Sequence, residues 1–384
     1  MSSSVAPSPA VRSFVTRPVI AQLVLGWAAF LLLSFFAGQL SGELPTPVIW
    51  GLLAAIIAVI LVCAFGVMEQ AEGLAHRLGD PYGTLVLTLS VVAIEVILIS
   101  AVLLGPGDHT TIARDSVMAV SMIILNLVVG LALLIGGMKH GDMAHNRTGT
   151  SAYLAMIIVL SSVAFAMPAF LGQDGAFTTF QEVPIITLTI AIYAFFLYRQ
   201  MGAQQADFQE VAYVATAETG GDQRPRVTRV IAEHRVEVFT RMGLLLAMVL
   251  PIVLLSHNMA ALLDVALDRV GAPVALSGII IAAIVFLPET ITTIRAALTN
   301  EIQRVSNLTH GALVSTVGLT IPSVLIIAIL TDQHVIFAES PTNLALLLIT
   351  LLLSVATFAG KKVTAMHGAA HLMVFVVYLL SVFS

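Results

Sequence analysis

Two acidic residues lie inside long apolar segments of this sequence. Glu95 is within LTLSVVAIEVILIS, and Glu289 follows Pro288 within IVFLPETITTIRAAL. Each segment belongs to an apolar run of about the 20 residues that a helix needs to cross a bilayer. At 1.5 Å per residue, Glu95 would lie about 18 Å into its helix, near mid-membrane. Because a carboxylate there costs a few kcal/mol even on lenient insertion scales, we predict that both acids are functional. The alternative is structural pairing with a neighbouring helix.

Oxygen donors accompany both acids. On a helix, positions i−7 and i+4 share a face with i, so Thr88 accompanies Glu95 and Thr293 accompanies Glu289. Thr316 and Thr320 are likewise one turn apart in a later apolar run. Carboxylates and hydroxyls without a thiolate suit calcium better than zinc or copper. Each of these threonines could instead bond its own backbone.

A weak internal correspondence adds further candidates. Asn126 follows Arg114 by twelve residues, and Thr316 follows Arg304 by the same interval. We therefore interpret Asn126 and Thr316 as related positions of two repeats, with Ser315 as a neighbouring hydroxyl. Pro288 removes a helical hydrogen bond next to Glu289, so we expect the helix to break there and expose backbone carbonyls.

The composition defines the class of protein that must position these residues. Of 384 residues, 58% are hydrophobic and 10% are charged, and the mean hydropathy is +1.00. Soluble proteins average about 25% charged residues, so this chain is predicted to be a polytopic membrane protein. The net charge of −5 gives no indication of a nucleic-acid partner, and a single cysteine excludes an intrachain disulfide.

Enzyme and ATPase motifs are missing from the sequence. His367 and His371 have zinc-ligand spacing, but Gly368 occupies the place of the glutamate in H-E-x-x-H, so a metalloprotease is not indicated. No glycine-rich phosphate loop precedes a helix. We therefore predict a protein that is not an enzyme and has no cofactor.

Eleven apolar runs predict an all-α integral membrane protein with eleven transmembrane helices. With a cytoplasmic N-terminus and an external C-terminus, 15 of the 17 Lys and Arg residues fall on the inner side, as the positive-inside rule expects. Only Arg114 and Arg269 fall outside.

The longest polar stretch divides the chain after the sixth run. Five spans follow the first helix before this stretch and five come after it, and because five is odd the two sets have opposite orientations. This is the pattern of an inverted-repeat transporter. The predicted parts are a cytoplasmic segment 1–19, a first transmembrane helix 20–40, a five-helix repeat 48–199, a cytoplasmic linker 200–238 and a second five-helix repeat 239–384.

At these residues the sequence resembles the calcium/cation antiporter superfamily, within it the cation/proton exchangers and their bacterial ChaA-type branch. The resemblance lies in residues 68–100, 114–137, 271–324 and 367–372. It implies the one-plus-five-plus-five inverted fold, with Glu95 and Glu289 binding the cation and exchanging it for protons. Eukaryotic members carry a Gly-Asn pair ahead of each glutamate, whereas this chain has Val91-Val92 and Val285-Phe286.

The resemblance also assigns two acids near the end of the second span. Glu69 and Glu72 would form a cytoplasmic ion entrance, or alternatively an interfacial anchor. The implied partners are the lipid bilayer of a bacterial-type inner membrane and the transported cations. Calcium is the predicted cargo in exchange for protons. A sodium (potassium)/proton antiporter and a passive cation channel are the alternatives.

Overall fold

The computed structural model describes residues 15–40, 44–78, 82–103, 110–211, 233–273 and 275–383. The first 14 residues of the predicted N-terminal segment and residues 212–232 of the predicted linker lie outside this description. Some helical side chains also lie outside it: 37–40, 75–76, 82–85, 87–88, 91, 98, 101–102, 257 and 275.

The described chain is almost entirely helical. Its helices are α1 (Arg17–Leu40), α2 (Thr46–Leu78), α3 (Tyr82–Leu103), α4 (Ile112–Met122), α5 (Val129–His140), α6 (Arg147–Ser161), α7 (Met167–Leu171), α8 (Thr179–Met201), α9 (Arg235–Arg269), α10 (Ala275–Leu298), α11 (Ile302–Thr331), α12 (Pro341–Ala359) and α13 (Ala365–Val382). A short 3-10 helix, Gln205–Phe208, follows α8. Two π-helical segments, Ile123–Val128 and Ser162–Ala166, join α4 to α5 and α6 to α7 without a break.

Ten candidate spans among the described residues are long and apolar enough to cross a membrane. They confirm an almost entirely helical, multi-pass membrane protein. The ten correspond to ten of the eleven predicted runs. The remaining run corresponds to α3, which has 22 residues and includes several undescribed side chains. The count of eleven stays a prediction.

The chain forms two compact units. The first comprises residues 1–90 and 222–266, and the second comprises 91–221 and 267–384. In the first unit, Trp27 Nε1 donates to Ala247 O over 3.1 Å, linking α1 to α9. Arg77 and Arg241 both pair with Glu237 over 3.0 and 3.1 Å, which links α2 to α9.

In the second unit, α11 is buried along most of its length and packs against α6, α8 and α10. α13 packs against α5. A methyl group added at Gly130 on α5 would meet Leu372 of α13, and one added at Gly368 would meet the backbone of α5. These glycines therefore allow the close helix approach that is common in membrane bundles.

The connections between helices meet in two groups in the second unit. Met143–Ala144 (β1) pairs antiparallel with Lys362–Val363 (β2), which joins the α5–α6 and α12–α13 connections. Elsewhere, Ile336 N donates to Thr110 O and Phe337 N donates to Gly175 O, over 2.9 and 3.0 Å. These bonds join the segment before α4, the α7–α8 connection and the α11–α12 connection.

The predicted helix break at Pro288 is wrong. α10 is continuous from Ala275 to Leu298 with Pro288 inside it. Proline is tolerated inside a membrane-spanning helix because neighbouring groups can satisfy the backbone carbonyl that loses its hydrogen bond. The departures from α-helical bonding occur instead in the two π-helical segments, the second of which ends two residues before Pro168.

Candidate functional site

Glu95 and Glu289 lie in the same compact unit and are both buried, each 4% exposed. Glu95 is on α3 and Glu289 is on α10. Thr316 of α11 donates its hydroxyl hydrogen to Oε2 of Glu95 over 2.7 Å. The two carboxyl groups are near enough for their charges to interact. Three helices that are distant in sequence therefore contribute to one acidic centre.

Several buried oxygens of the two acids and of the predicted threonines lack a hydrogen-bond partner among the described residues. They are Oε1 of Glu95, both carboxyl oxygens of Glu289, and the hydroxyls of Thr293 and Thr320. Leaving a buried polar group unpaired costs about 1–3 kcal/mol, so such groups require an explanation such as a bound ion. In the described parts of the chain, no basic side chain forms an ion pair with either acid. These carboxyl and hydroxyl oxygens are suited to binding a cation or protons.

The threonines near the two acids have different partners. Thr293, one turn from Glu289, is fully buried and has no hydrogen-bond partner among the described residues, while Thr290 donates to Phe286 O over 2.8 Å and so bonds its own helix. The side chain of Thr88 lies outside the described residues. Of the threonines predicted from sequence, Thr316 is the one that the structure places in direct contact with a central acid.

Asn126 belongs to a separate polar network. It lies in the first π-helical segment, is fully buried, and donates from Nδ2 to Thr350 Oγ1 over 2.9 Å. Its Oδ1 contacts His371 Nδ1 at 3.3 Å, and His371 Nε2 contacts Thr357 Oγ1 at 3.1 Å. The structure thus connects Asn126 to α12 and α13, and none of its hydrogen bonds among the described residues is with Glu95 or Glu289.

Ser315 and Thr316 are adjacent in sequence and bond different groups. Tyr193 of α8 donates its hydroxyl hydrogen to Ser315 Oγ over 2.9 Å, whereas Thr316 faces Glu95. Ser315 therefore fixes the packing of α8 on α11 in the described structure.

A small pocket of about 10 Å³ adjoins Glu95. Apart from Glu95 and Ser116, its lining is apolar and comes from α3, α4 and α10, including Phe286. Val285 and Phe286 both line this pocket. The surroundings of Glu95 are therefore apolar at these two positions.

Glu69 and Glu72 lie on the last turns of α2, in the other compact unit. Glu69 is exposed and Glu72 is partly exposed. Their assignment as an ion entrance stays a prediction.

A third buried carboxyl was missed by the sequence reasoning. Glu339 precedes α12 and is 6% exposed. Its Oε2 accepts from Ser340 N over 3.1 Å and from Asn343 Nδ2 over 2.8 Å, and its Oε1 lies 3.9 Å from Arg114 Nε. Burial raises the pKa of Glu339 above the ordinary carboxyl range, against the opposing effects of Asn343 and Arg114. Glu339 lies outside the apolar runs, so no sequence signal marked it as buried.

Comparison with known proteins decides the family. The sodium/calcium exchanger protein family matches residues 48–202 and 240–384, which is more than half of the chain. The chain belongs to the sodium/calcium exchanger family. It is therefore a membrane-embedded ion exchanger and not an enzyme, as the sequence predicted.

Individual relatives agree with this assignment. The sodium-potassium/proton antiporter ChaA of Escherichia coli (strain K12) is 33% identical over 368 residues, covering 96% of this chain and 95% of ChaA. The putative ionic transporter y4hA of Sinorhizobium fredii (strain NBRC 101917 / NGR234) is 33% identical over 319 residues, covering 82% and 84%. This degree of identity confirms the resemblance to the ChaA-type branch of the exchangers.

Solved structures show the same fold. Native YfkE superposes with a TM-score of 0.66 at 19% identity, covering 94% of this chain and 99% of YfkE. The H+/Ca2+ exchanger CAX superposes with a TM-score of 0.63 at 16% identity, covering 95% and 89%. At these identities the likeness concerns the fold of this exchanger and leaves its cargo open.

Proposed function

We propose that this exchanger exports calcium from the cytoplasm in return for protons, with Glu95 and Glu289 binding both. The observation that carries the proposal is the pair of buried carboxyl groups without a basic partner in the described structure. Three of their four oxygens have no hydrogen-bond partner there. A centre of this kind is stable only when positive charge or protons neutralise it.

Charge balance favours calcium as the cargo. One divalent cation, or two protons, neutralises two carboxylates, so both loaded forms of the centre are electrically equivalent. The hydroxyls of Thr293, Thr316 and Thr320 would add the hard oxygen ligands that calcium prefers. Two structural neighbours, named as the Ca2+/H+ antiporter YfkE and the H+/Ca2+ exchanger CAX, support the same cargo.

A monovalent cargo is the second candidate. It is favoured by the similarity to ChaA, which is named a sodium-potassium/proton antiporter. One monovalent ion would leave a net negative charge on the two acids unless one of them kept its proton. A sodium or potassium form of the centre would therefore carry one ion and one proton together.

Competition for the same oxygens would couple the two fluxes. The cation-loaded and the protonated forms can reorient, because each neutralises the centre in a low-dielectric environment. The empty, doubly charged form is too costly to reorient, which prevents a leak of either ion. Reorientation of the cation-loaded and the protonated forms is the alternating access expected of secondary transporters.

We infer two inverted five-helix repeats, 48–199 and 239–384, after a first helix 20–40. The family matches two separate segments with almost these bounds. Contacts related by such a repeat also occur in pairs: α8 bonds α11 through Tyr193 and Ser315, and α13 contacts the α4–α5 span through His371 and Asn126. α8 and α13 would be the fifth helices of their repeats, and the spans that they contact would be the third.

We further propose an inner-membrane location with a cytoplasmic N-terminus, a cytoplasmic linker 200–238 and an external C-terminus. The distribution of Lys and Arg supports this orientation. Single cysteines introduced at Gln205 and Ser384 in a Cys63→Ser background would test it in intact cells. An impermeant thiol reagent should label position 384 and not 205, and the opposite pattern would reject the orientation.

Transport in everted vesicles with an imposed pH gradient tests the function. Calcium, sodium and potassium are each offered, and uptake should depend on the gradient and be largest for calcium. Uptake that is the same after the gradient is collapsed would indicate a passive channel. Gradient-driven uptake of sodium or potassium without calcium would select the monovalent candidate.

Calorimetry tests the shared site. Calcium binding to the purified protein is measured between about pH 5 and 9, a range that brackets perturbed carboxyl pKa values. The calcium affinity should weaken as the pH falls, and binding should release protons. An affinity that does not change with pH, with no proton release, would rule out a shared site.

A further inference from the structure

A groove runs between α6 and α12 on the surface of the second unit. Its volume is about 800 Å³, which lies within the range of roughly 300–1,000 Å³ typical of small-molecule sites. The acidic centre contributes no residue to it. The groove is formed where Ala155 of α6 and Ala359 of α12 leave space between larger neighbours.

The lining of the groove changes from polar to apolar along α6. Arg147, Thr148 and Ser151 line the part at the beginning of the helix, and Ile158 lines the part farther along. The eleven helical steps from Arg147 to Ile158 span about 16 Å at 1.5 Å per residue. That length is close to half of the roughly 30 Å hydrocarbon core of a bilayer, so the groove matches one leaflet in depth.

The polar part of the groove carries positive charge. Arg147 is exposed and forms no ion pair with the described residues of the chain. Lys361 and Lys362 follow the end of α12 at the same end of the groove, because β2 pairs with β1 just before α6. Lys362 lies 3.5 Å from Asp142, but both side chains are more than half exposed, so the pairing is weak.

The apolar part of the groove is exposed to the surroundings of the protein. Ile158 is 37% exposed and Val355, which faces the same groove from α12, is 42% exposed. A soluble anion at Arg147 would leave these side chains uncovered. A ligand with a negative head and an apolar tail satisfies both parts.

We propose that this groove binds an anionic phospholipid of the adjacent leaflet. The phosphate contacts Arg147 and the hydroxyls of Thr148 and Ser151, and an acyl chain lies along Ala155, Ile158 and Val355. Basic pockets between transmembrane helices are suited to anionic headgroups. The lipid holds α6 against α12, the helix whose Thr350 accepts the hydrogen bond from Asn126.

Thermal unfolding of the purified full-length protein in a zwitterionic detergent tests the site. Added phosphatidylglycerol should raise the unfolding temperature of the wild type, because a ligand that binds the native state stabilises it. Arg147→Gln should need about fivefold more lipid for the same shift, which corresponds to the ~1 kcal/mol contributed by a basic residue near anionic lipid. Ala155→Leu places three further carbon atoms where the acyl chain lies and should reduce the shift.

Matched controls separate the groove from general effects. Arg269→Gln removes the same charge elsewhere, and Ala191→Leu enlarges an exposed alanine of α8 outside the groove; both should respond like the wild type. Equal stabilisation by phosphatidylcholine, or full stabilisation by soluble glycerol phosphate, would overturn the proposal. A wild-type response of both groove variants would overturn it as well.

Discussion

Buried carboxyl groups occur in two regions of the second unit, and their partners differ. Glu339, before α12, receives hydrogen bonds from Ser340 N and Asn343 and has Arg114 at 3.9 Å. Glu95 and Glu289 are as deeply buried, but Thr316 is their one described hydrogen-bond donor. In the first arrangement, Oε2 of Glu339 is bonded by the protein's own donors, and its Oε1, unpartnered among the described residues, has the basic side chain of Arg114 as a neighbour. The second leaves oxygens for a ligand that the protein does not supply.

The central pair is itself asymmetric. Glu95 has one bonded and one unpartnered oxygen, while both oxygens of Glu289 are unpartnered among the described residues. The inverted repeats that we infer therefore do not give the two acids identical surroundings. This difference predicts that substitutions near the two acids have unequal effects.

The largest expected effect is the loss of exchange on removing a central charge. Glu95→Gln and Glu289→Gln should each abolish cation/proton exchange in vesicles, because one carboxylate cannot neutralise the cargo. Glu339→Gln is the matched control and should retain exchange. Near-normal exchange by either central variant, with intact folding shown by size-exclusion chromatography, would remove the distinction between the two regions.

A smaller effect is expected at Thr316. Hydrogen bonds to charged groups contribute about 1.5–3 kcal/mol, so Thr316→Val should weaken apparent cation affinity by roughly tenfold or more. Thr316→Ser keeps the hydroxyl and should remain close to the wild type. Affinity would be measured by calorimetry at a fixed pH. Equal affinities for the two variants would mean that the hydroxyl does not support the ionised Glu95.

Thr293 and Thr290 allow a finer comparison next to Glu289. Thr293→Val should weaken apparent cation affinity about two- to tenfold, the effect of losing one neutral polar contact of about 0.5–1.5 kcal/mol. Thr290 already bonds its own helix, so Thr290→Val should have no effect on affinity. If the two variants behave alike in the same calorimetric assay, Thr293 is not a ligand.

The smallest effect concerns stability at Glu339. Because burial raises its pKa in the folded state, the folded protein favours the protonated group, and this stability is lost as the pH rises through the folded-state pKa. Glu339→Gln stays neutral and should gain in unfolding temperature relative to the wild type as the pH rises. About 2–4 °C corresponds to ~1 kcal/mol in a domain of 150–250 residues.

Thermal scans of Glu339→Gln and the wild type at pH 4.5 and 7.5 would measure this difference. The two proteins should be most alike at the lower pH. A difference that shrinks as the pH rises would show that Arg114 outweighs burial, so that Glu339 acts as an ordinary stabilising ion pair.

The sequence by itself determined the class of protein and its two central acids. Apolar runs of bilayer length predict spanning helices, because only structures that satisfy their own backbone hydrogen bonds persist in lipid. Glu95 and Glu289 could be identified because an acidic residue within an apolar run is rare, since burying a carboxylate near mid-membrane costs free energy. These are local properties of composition and spacing.

Tertiary structure alone decided which polar groups meet. Ser315 and Thr316 are neighbours in sequence, yet one bonds Tyr193 and the other Glu95. Asn126 was predicted beside the acids, but its described bonds go to Thr350, His371 and Met122. The burial of Glu339 also lacks a sequence signal. Contacts between helices depend on rotation and register, and hydropathy does not encode either of these.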